Sequence, residues 1–191
     1  LFERYERGET LWFKKIDGSI QNIQHIFISV ENVPVYNLHV MWVTSTPTAG
    51  YKYWIGHNYY ANDTLVHNIK PDDWWTCFVA GTKVTMWDGT LKNIEEVKIG
   101  EEVVIHNEIL WTNQKSLVTE AIHHSPRQEE IYTVTLDDGT ELKPNAEHPM
   151  YEARTKNYFT MWEINKMFQK GEDPLFQKID GSIHGIKTIQ V

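Results

Sequence analysis

The chain repeats itself. Residues 13–28 read FKKIDGSIQNIQHIFI and residues 176–191 read FQKIDGSIHGIKTIQV. The offset from Asp17 to Asp180 is 163 residues, and 1–28 aligns with 164–191 at eleven identical positions without a gap. Such self-similarity takes precedence over other features. It points to a window on a tandem array that begins inside one unit and ends inside the next. The plainer alternative is one strand-turn-strand motif used twice within a domain. When one domain closes, both copies need the same structural slot. The sequence therefore predicts that one copy is displaced, or that two chains exchange segments.

Short strands account for most of the remaining pattern. Asp17-Gly18, Asp88-Gly89, Asp138-Gly139 and Asp180-Gly181 sit between apolar or β-branched runs, which is the hairpin signature. Thr82–Met86 and Ile131–Leu136 alternate polar and apolar residues, and Val35–Val43 and Asn58–His67 are further strand candidates. Helix is expected only at Leu91–Val97, as a single turn, and at Met161–Phe168. The expected class is all-β, with many short strands. Pro71 and Asp72-Asp73 make residues 69–76, IKPDDWWT, a connector, on which Trp74 and Trp75 are expected to dock as an apolar anchor.

Composition excludes several functions. Eighteen Lys+Arg against 26 Asp+Glu give a formal charge of −8, which argues against nucleic acid or a membrane surface as partner. No apolar run approaches the ~20 residues of a membrane span. A single cysteine, Cys77, excludes an internal disulfide and a cysteine-rich zinc site. His123-His124 is an adjacent pair without further evident ligands, so no metal and no cofactor is expected.

Three segments carry chemistry. One starts CFVAGTKVTMWDGTLKNIEE at Cys77, one is HNYYANDTLVHN at 57–68, and one is LKPNAEHPMYEA at 142–153. Together they resemble the Hint fold of inteins and hedgehog autoprocessing domains, most closely bacterial intein-like domains. The resemblance implies a horseshoe of short strands, circularly permuted or domain-swapped here. Residues 1–68 would be the carboxyl-terminal segment, 69–76 an extein-like linker, and 77–191 the amino-terminal segment. The implied partners are other copies of the unit and the flanking extein-like peptide.

The chemistry can be argued from the residues. A cysteine that opens a domain can attack the preceding carbonyl, here that of Thr76, to give a thioester. An unperturbed thiol is only a few per cent thiolate at pH 7, and the amide resists attack through resonance. Intramolecular placement supplies roughly 7–11 kcal/mol of such a barrier. The resemblance implies that His148 bonds the scissile nitrogen and protonates the leaving amine. Asn145 stands where the family has Thr, and is expected to donate a hydrogen bond in its place. Asn68 can cyclise onto its own carbonyl and cleave the Asn68–Ile69 bond, with His67 stabilising the oxyanion. His57 matches the family histidine that moves protons in that step. Asn37 falls where inteins often carry Asp; an amide is no base, so it would orient rather than titrate.

Ile69 has no nucleophile, so ordinary transesterification is blocked. Cleavage at either junction, and slower ligation by an amine or external nucleophile, remain open. Cuts after Asn68 and before Cys77 would free residues 69–76, and attack of the Ile69 amine on the Thr76 thioester would close them into a ring. The leading expectation is single-turnover self-cleavage or splicing in cis. The alternative is a catalytically silent Hint-like assembly module in a tandem array.

Overall fold

The computed structural model describes residues 12–14, 20–22, 30–41, 43–45, 53–55, 58–67, 76–108 and 110–190. The chain is all-β, in curled antiparallel sheets. Two short hairpins come early: β1 (Trp12–Lys14) with β2 (Ile20–Asn22), and, after β3 (Val30–Val40), β4 (Val43–Ser45) with β5 (Tyr53–Ile55). Next come β6 (Asn58–Ala61), β7 (Thr64–His67), β8 (Phe78–Val79), β9 (Lys83–Thr85), β10 (Leu91–Asn93) and β11 (Glu102–Asn107). A 19-residue strand, β12 (Thr112–Glu130), precedes β13 (Thr133–Leu136), β14 (Glu141–Leu142), β15 (Pro149–Glu152) and β16 (Asn157–Thr160). Helix α1 (Met161–Gln169), β17 (Leu175–Gln177) and β18 (Ile183–Gln190) complete the described chain.

Two sheets carry the architecture. One runs β11-β12-β3-β8; the other runs β10-β9-β6-β7-β15-β17-β18-β13-β14, with β16 on β15. Both interleave early and late parts of the sequence. In the first, β3 pairs with β12 from Val30↔Glu130 to Val40↔Val118, across bulges between Val118 and Glu120 and between His124 and Arg127. In the second, Met150 of β15 pairs with Val66 of β7.

The two-residue period of β3 divides its side chains between two environments. Tyr36, Leu38 and Val40 face the main core, with Tyr59, Phe78, Leu136 and Phe176. Val33 and Val35 face a smaller cluster containing Cys77 and Ile131. Asn37 lies in register with that second set and is fully buried.

The local turns follow from their residues. In each of the Asp88-Gly89, Asp138-Gly139 and Asp180-Gly181 turns the glycine takes a φ of +84° to +88°. In each the aspartate accepts from the backbone N–H two residues on, at 2.8–2.9 Å. Asp17-Gly18 lies outside the described residues.

Helix α1 matches the reading at Met161–Phe168 and opens on a capping box between Thr160 and Glu163. Two expectations are corrected. Asn58–His67 is a hairpin, because Asn62 and Asp63 both take positive φ (43° and 65°) and reverse the chain as Asn and Asp allow. Leu91–Val97 is half strand: 91–93 pair with β9, and only Ile94–Glu96 form a 3₁₀ turn.

One buried clip fixes the hairpin β6–β7 against the other sheet. Asn58 donates from Nδ2 to the His106 carbonyl at 3.0 Å and accepts the His106 N–H at 2.7 Å. Replacing Asn58 with Ala strands both backbone groups. At about 1–3 kcal/mol per unsatisfied group, Asn58→Ala should lower stability by about 2–6 kcal/mol, read as a drop in the urea midpoint at unchanged m-value.

Candidate active site

Strand pairing brings four separate stretches around one peptide bond, that between Thr76 and Cys77. Residues 77–79 are held between β3 and the segment 143–145. Val35 pairs with Val79 and Tyr36 with Phe78, while Phe78 bridges to Pro144. The Asn145 N–H donates to the Cys77 carbonyl at 2.9 Å, and Asn145 bridges to Ile131. The helix then pins the next stretch: Met161 N–H donates to the His148 carbonyl and Trp162 N–H to the Ala146 carbonyl.

Both polar groups of the Thr76–Cys77 peptide are engaged. Asn37 Nδ2 donates to the Thr76 carbonyl oxygen at 2.5 Å and contacts Thr76 Oγ1 at 3.0 Å. The Cys77 N–H donates to Asn145 Oδ1 at 3.0 Å. Each amide has its orientation fixed from behind. Asn37 Oδ1 accepts from Leu38 N–H at 2.7 Å and from the Tyr59 hydroxyl at 2.9 Å. Asn145 Nδ2 donates to Glu129 Oε2 at 3.3 Å, which turns Oδ1 toward Cys77. Burial, and after it the neighbouring Cys77, hold the Tyr59 hydroxyl well above the ordinary phenol range, so it stays a donor.

His148 is fully buried, with its ring 4.2 Å from that of Phe78. Its pKa is pushed down to about 3, mainly by burial and then by the charge of His67. The backbones of Thr76 and His67 favour its charged form. Among the described residues no geometrically complete hydrogen bond reaches either of its buried ring nitrogens. A buried imidazole in that condition beside a clamped peptide calls for an explanation other than packing. It is neutral near pH 7 and is placed between Thr76 and His67.

The residues singled out from sequence are distributed as follows. Thr76, Cys77, Asn145, His148 and Asn37 converge on one peptide. His67 ends β7, half-buried, with Tyr158 edge-on at 4.7 Å. His57, Asn68 and Ile69 lie outside the described residues, as do Trp74 and Trp75. Two roles differ from expectation. Asn145 accepts from the Cys77 N–H rather than donating, because Glu129 takes its N–H group. That acceptor also occupies the scissile nitrogen, so His148 does not bond it. Tyr59 and Glu129 were not anticipated.

Comparison with known proteins gives no family: no protein-family model matches the chain, and no curated protein matches it. No helix among the described residues is long and apolar enough to cross a membrane. Among them one group, Asp137, Asp138 and His184, has metal-capable atoms within 4.8 Å of one another. Its atoms are already engaged: His184 Nδ1 lies 2.6 Å from Asp137 Oδ1, and Lys178 Nζ lies 3.3 Å from Asp138 Oδ2. His123 stacks on Tyr36 at 4.8 Å.

The depressed His148 pKa sets a direction for stability. Below its ordinary value near 6.5 the unfolded chain binds a proton that the folded chain refuses until about pH 3. Its contribution is therefore complete above pH 6.5 and is lost as pH falls from there toward 3. His148→Leu should flatten urea midpoints across that window while leaving their pH dependence above 7 unchanged.

Proposed function

We propose that the chain is a self-processing domain of the intein-like, Hint class, its curled sheets forming the Hint horseshoe from segments in permuted order. Cys77 Sγ attacks the Thr76 carbonyl carbon. The oxygen becomes an oxyanion held by Asn37 Nδ2. The thiol proton passes through neutral His148 to the Cys77 nitrogen as the C–N bond breaks, leaving a Thr76 thioester and a Cys77 amine. For an imidazole whose pKa lies near 3, taking the thiol proton is the costly half of that relay and giving it to the nitrogen is the easy half.

At the other junction, the Asn68 side-chain nitrogen attacks its own carbonyl carbon. The Asn68–Ile69 bond breaks to give a succinimide and a free Ile69 amine, with His67 beside the developing oxyanion. Water, an added thiol or the Ile69 amine then takes the thioester.

The single observation that carries this reading is the two-sided grip on the Thr76–Cys77 peptide. A buried asparagine donates to its oxygen, and a second, oriented by a buried carboxylate, accepts from its nitrogen. A cysteine that merely filled core space would not need both amides spent on the bond before it.

Intact-mass spectrometry over time, with and without thiol, tests it. Thiol-dependent fragments should appear, vanish in Cys77→Ala, and lose only the cut after residue 68 in Asn68→Ala. Loss of one oxyanion donor costs about 100- to 1,000-fold in related chemistry, so Asn37→Ala should slow thioester formation by that order. Tyr59→Phe, which only frees the Asn37 amide to turn, should slow it less. A single unchanged mass under all conditions would leave the silent assembly module as the better reading.

A further inference from the structure

The two repeat copies form the same hairpin. β1 pairs with β2 as Trp12↔Asn22, Phe13↔Gln21 and Lys14↔Ile20. β17 pairs with β18 as Leu175↔Gly185, Phe176↔His184 and Gln177↔Ile183. Shifting the first ladder by the repeat offset reproduces the second, pair for pair. Their surroundings differ. β17–β18 is inserted between β15 and β13 of the large sheet, whereas among the described residues β1–β2 forms a two-stranded sheet.

The slot between β15 and β13 makes identifiable demands. It buries Phe176 completely. It holds Lys178 Nζ 2.6 Å from Thr140 Oγ1, 3.3 Å from Asp138 and 3.5 Å from Asp63. It needs a glycine at 181, where φ is +84°. It packs Ile186 and Ile189 opposite Leu136 and Val134. The first copy offers Phe13, Lys15, Gly18, Ile23 and Ile26 at those positions, the same residue each time.

The differences at 184 and 185 are tolerable, while Lys14 stands as the counterpart of the buried Gln177. Asn22 replaces Gly185, where an added Cβ meets nothing nearer than 3.8 Å. Gln21 replaces His184 and forgoes its contact with an exposed Asp137, a surface pair of small value.

The connection to β3 also fits. Gln190, at the end of β18, pairs with Thr133, and Val30, at the start of β3, pairs with Glu130. Phe27, the counterpart of Gln190, precedes Val30 by three residues, which span up to about 10 Å. That reach matches the three-residue step from Glu130 to Thr133. A first-copy hairpin in the slot would therefore leave β3 where it is.

We propose that the slot between β13 and β15 accepts the β1–β2 hairpin of the same chain in exchange for β17–β18, so that two segments of one chain compete for one acceptor. The inference does not depend on the self-processing reading, and its test needs no cleavage.

In a Cys77→Ala background the only thiols are those introduced. The Ala153 N–H donates to the Leu175 carbonyl at 2.7 Å, and directly opposed residues lie within disulfide range. Ala153→Cys with Leu175→Cys reports the second copy; Ala153→Cys with Trp12→Cys reports the first. Both pairs should oxidise to monomeric disulfides, seen on non-reducing gels and mapped by peptide mass. Ile189→Asp charges only the docked copy, opposite buried Val134, and should raise the Trp12 bridge relative to the Leu175 bridge at least about tenfold. Three results would overturn the proposal: no Trp12 bridge where the Leu175 bridge is complete, a bridge formed only between chains, or a yield indifferent to Ile189→Asp.

Discussion

The antiparallel ladder between β3 and β12 is the constraint on which the molecule depends. It joins Val30–Val40 to residues 118–130 of β12, so the early part of the chain is captured by the late part. Every feature of the candidate site inherits that pairing. One parity of β3 delivers Leu38 and Val40 to the main core, and the other delivers Val35 and Asn37 to Cys77. A register slip of one residue would exchange the two sets. It would place an amide in the core and a leucine against the Thr76 carbonyl. The apolar residues of β3 therefore fix the aim of its one buried amide.

Buried polar groups are costly unless paired, and the site meets that cost in an uneven way. Asn37 and Asn145 are each satisfied on both sides, through Tyr59 and Glu129, so the amides are rigid and cannot rotate away from the peptide. His148 is the exception. It is fully buried, and among the described residues no complete hydrogen bond reaches its nitrogens. The arrangement is preorganised around the peptide and least satisfied at its histidine.

Sequence reading succeeded where the determinant is local. Asp-Gly pairs marked turns because glycine accepts a φ of +84° to +88° without strain and aspartate closes the turn with its own carboxylate. The helix at Met161 was legible as a local stretch, and the structure adds the Thr160–Glu163 capping box that starts it. It failed where the determinant is distant or ambiguous. Asn62-Asp63 was absorbed into a strand because neither residue is glycine, yet both tolerate positive φ. The length of β12 was hidden by its polar stretch around Pro126 and by two bulges that break alternation. Glu129 lies in a polar, charged stretch, RQEE, that does not single it out. The signal that could have found it is parity: it lies two residues from buried Ile131, hence on the same face. Tyr59 could be recognised only through its contact with Asn37, 22 residues away. Family resemblance led to Cys77, His148, Asn145 and Asn37, but the direction of the Asn145 hydrogen bond required the carboxylate behind it.

The separation between β3 and its partner has a temporal meaning during synthesis. Val30 and Glu130 are 100 residues apart, so at about 5–20 residues per second β3 waits on the order of 5–20 s for its mate to emerge. During that interval the nascent chain carries Asn37 and His67, but neither Cys77's finished surroundings nor His148. In the proposed reading, chemistry at the Thr76–Cys77 bond waits on the order of translation, because His148 is made after every other group named at the site.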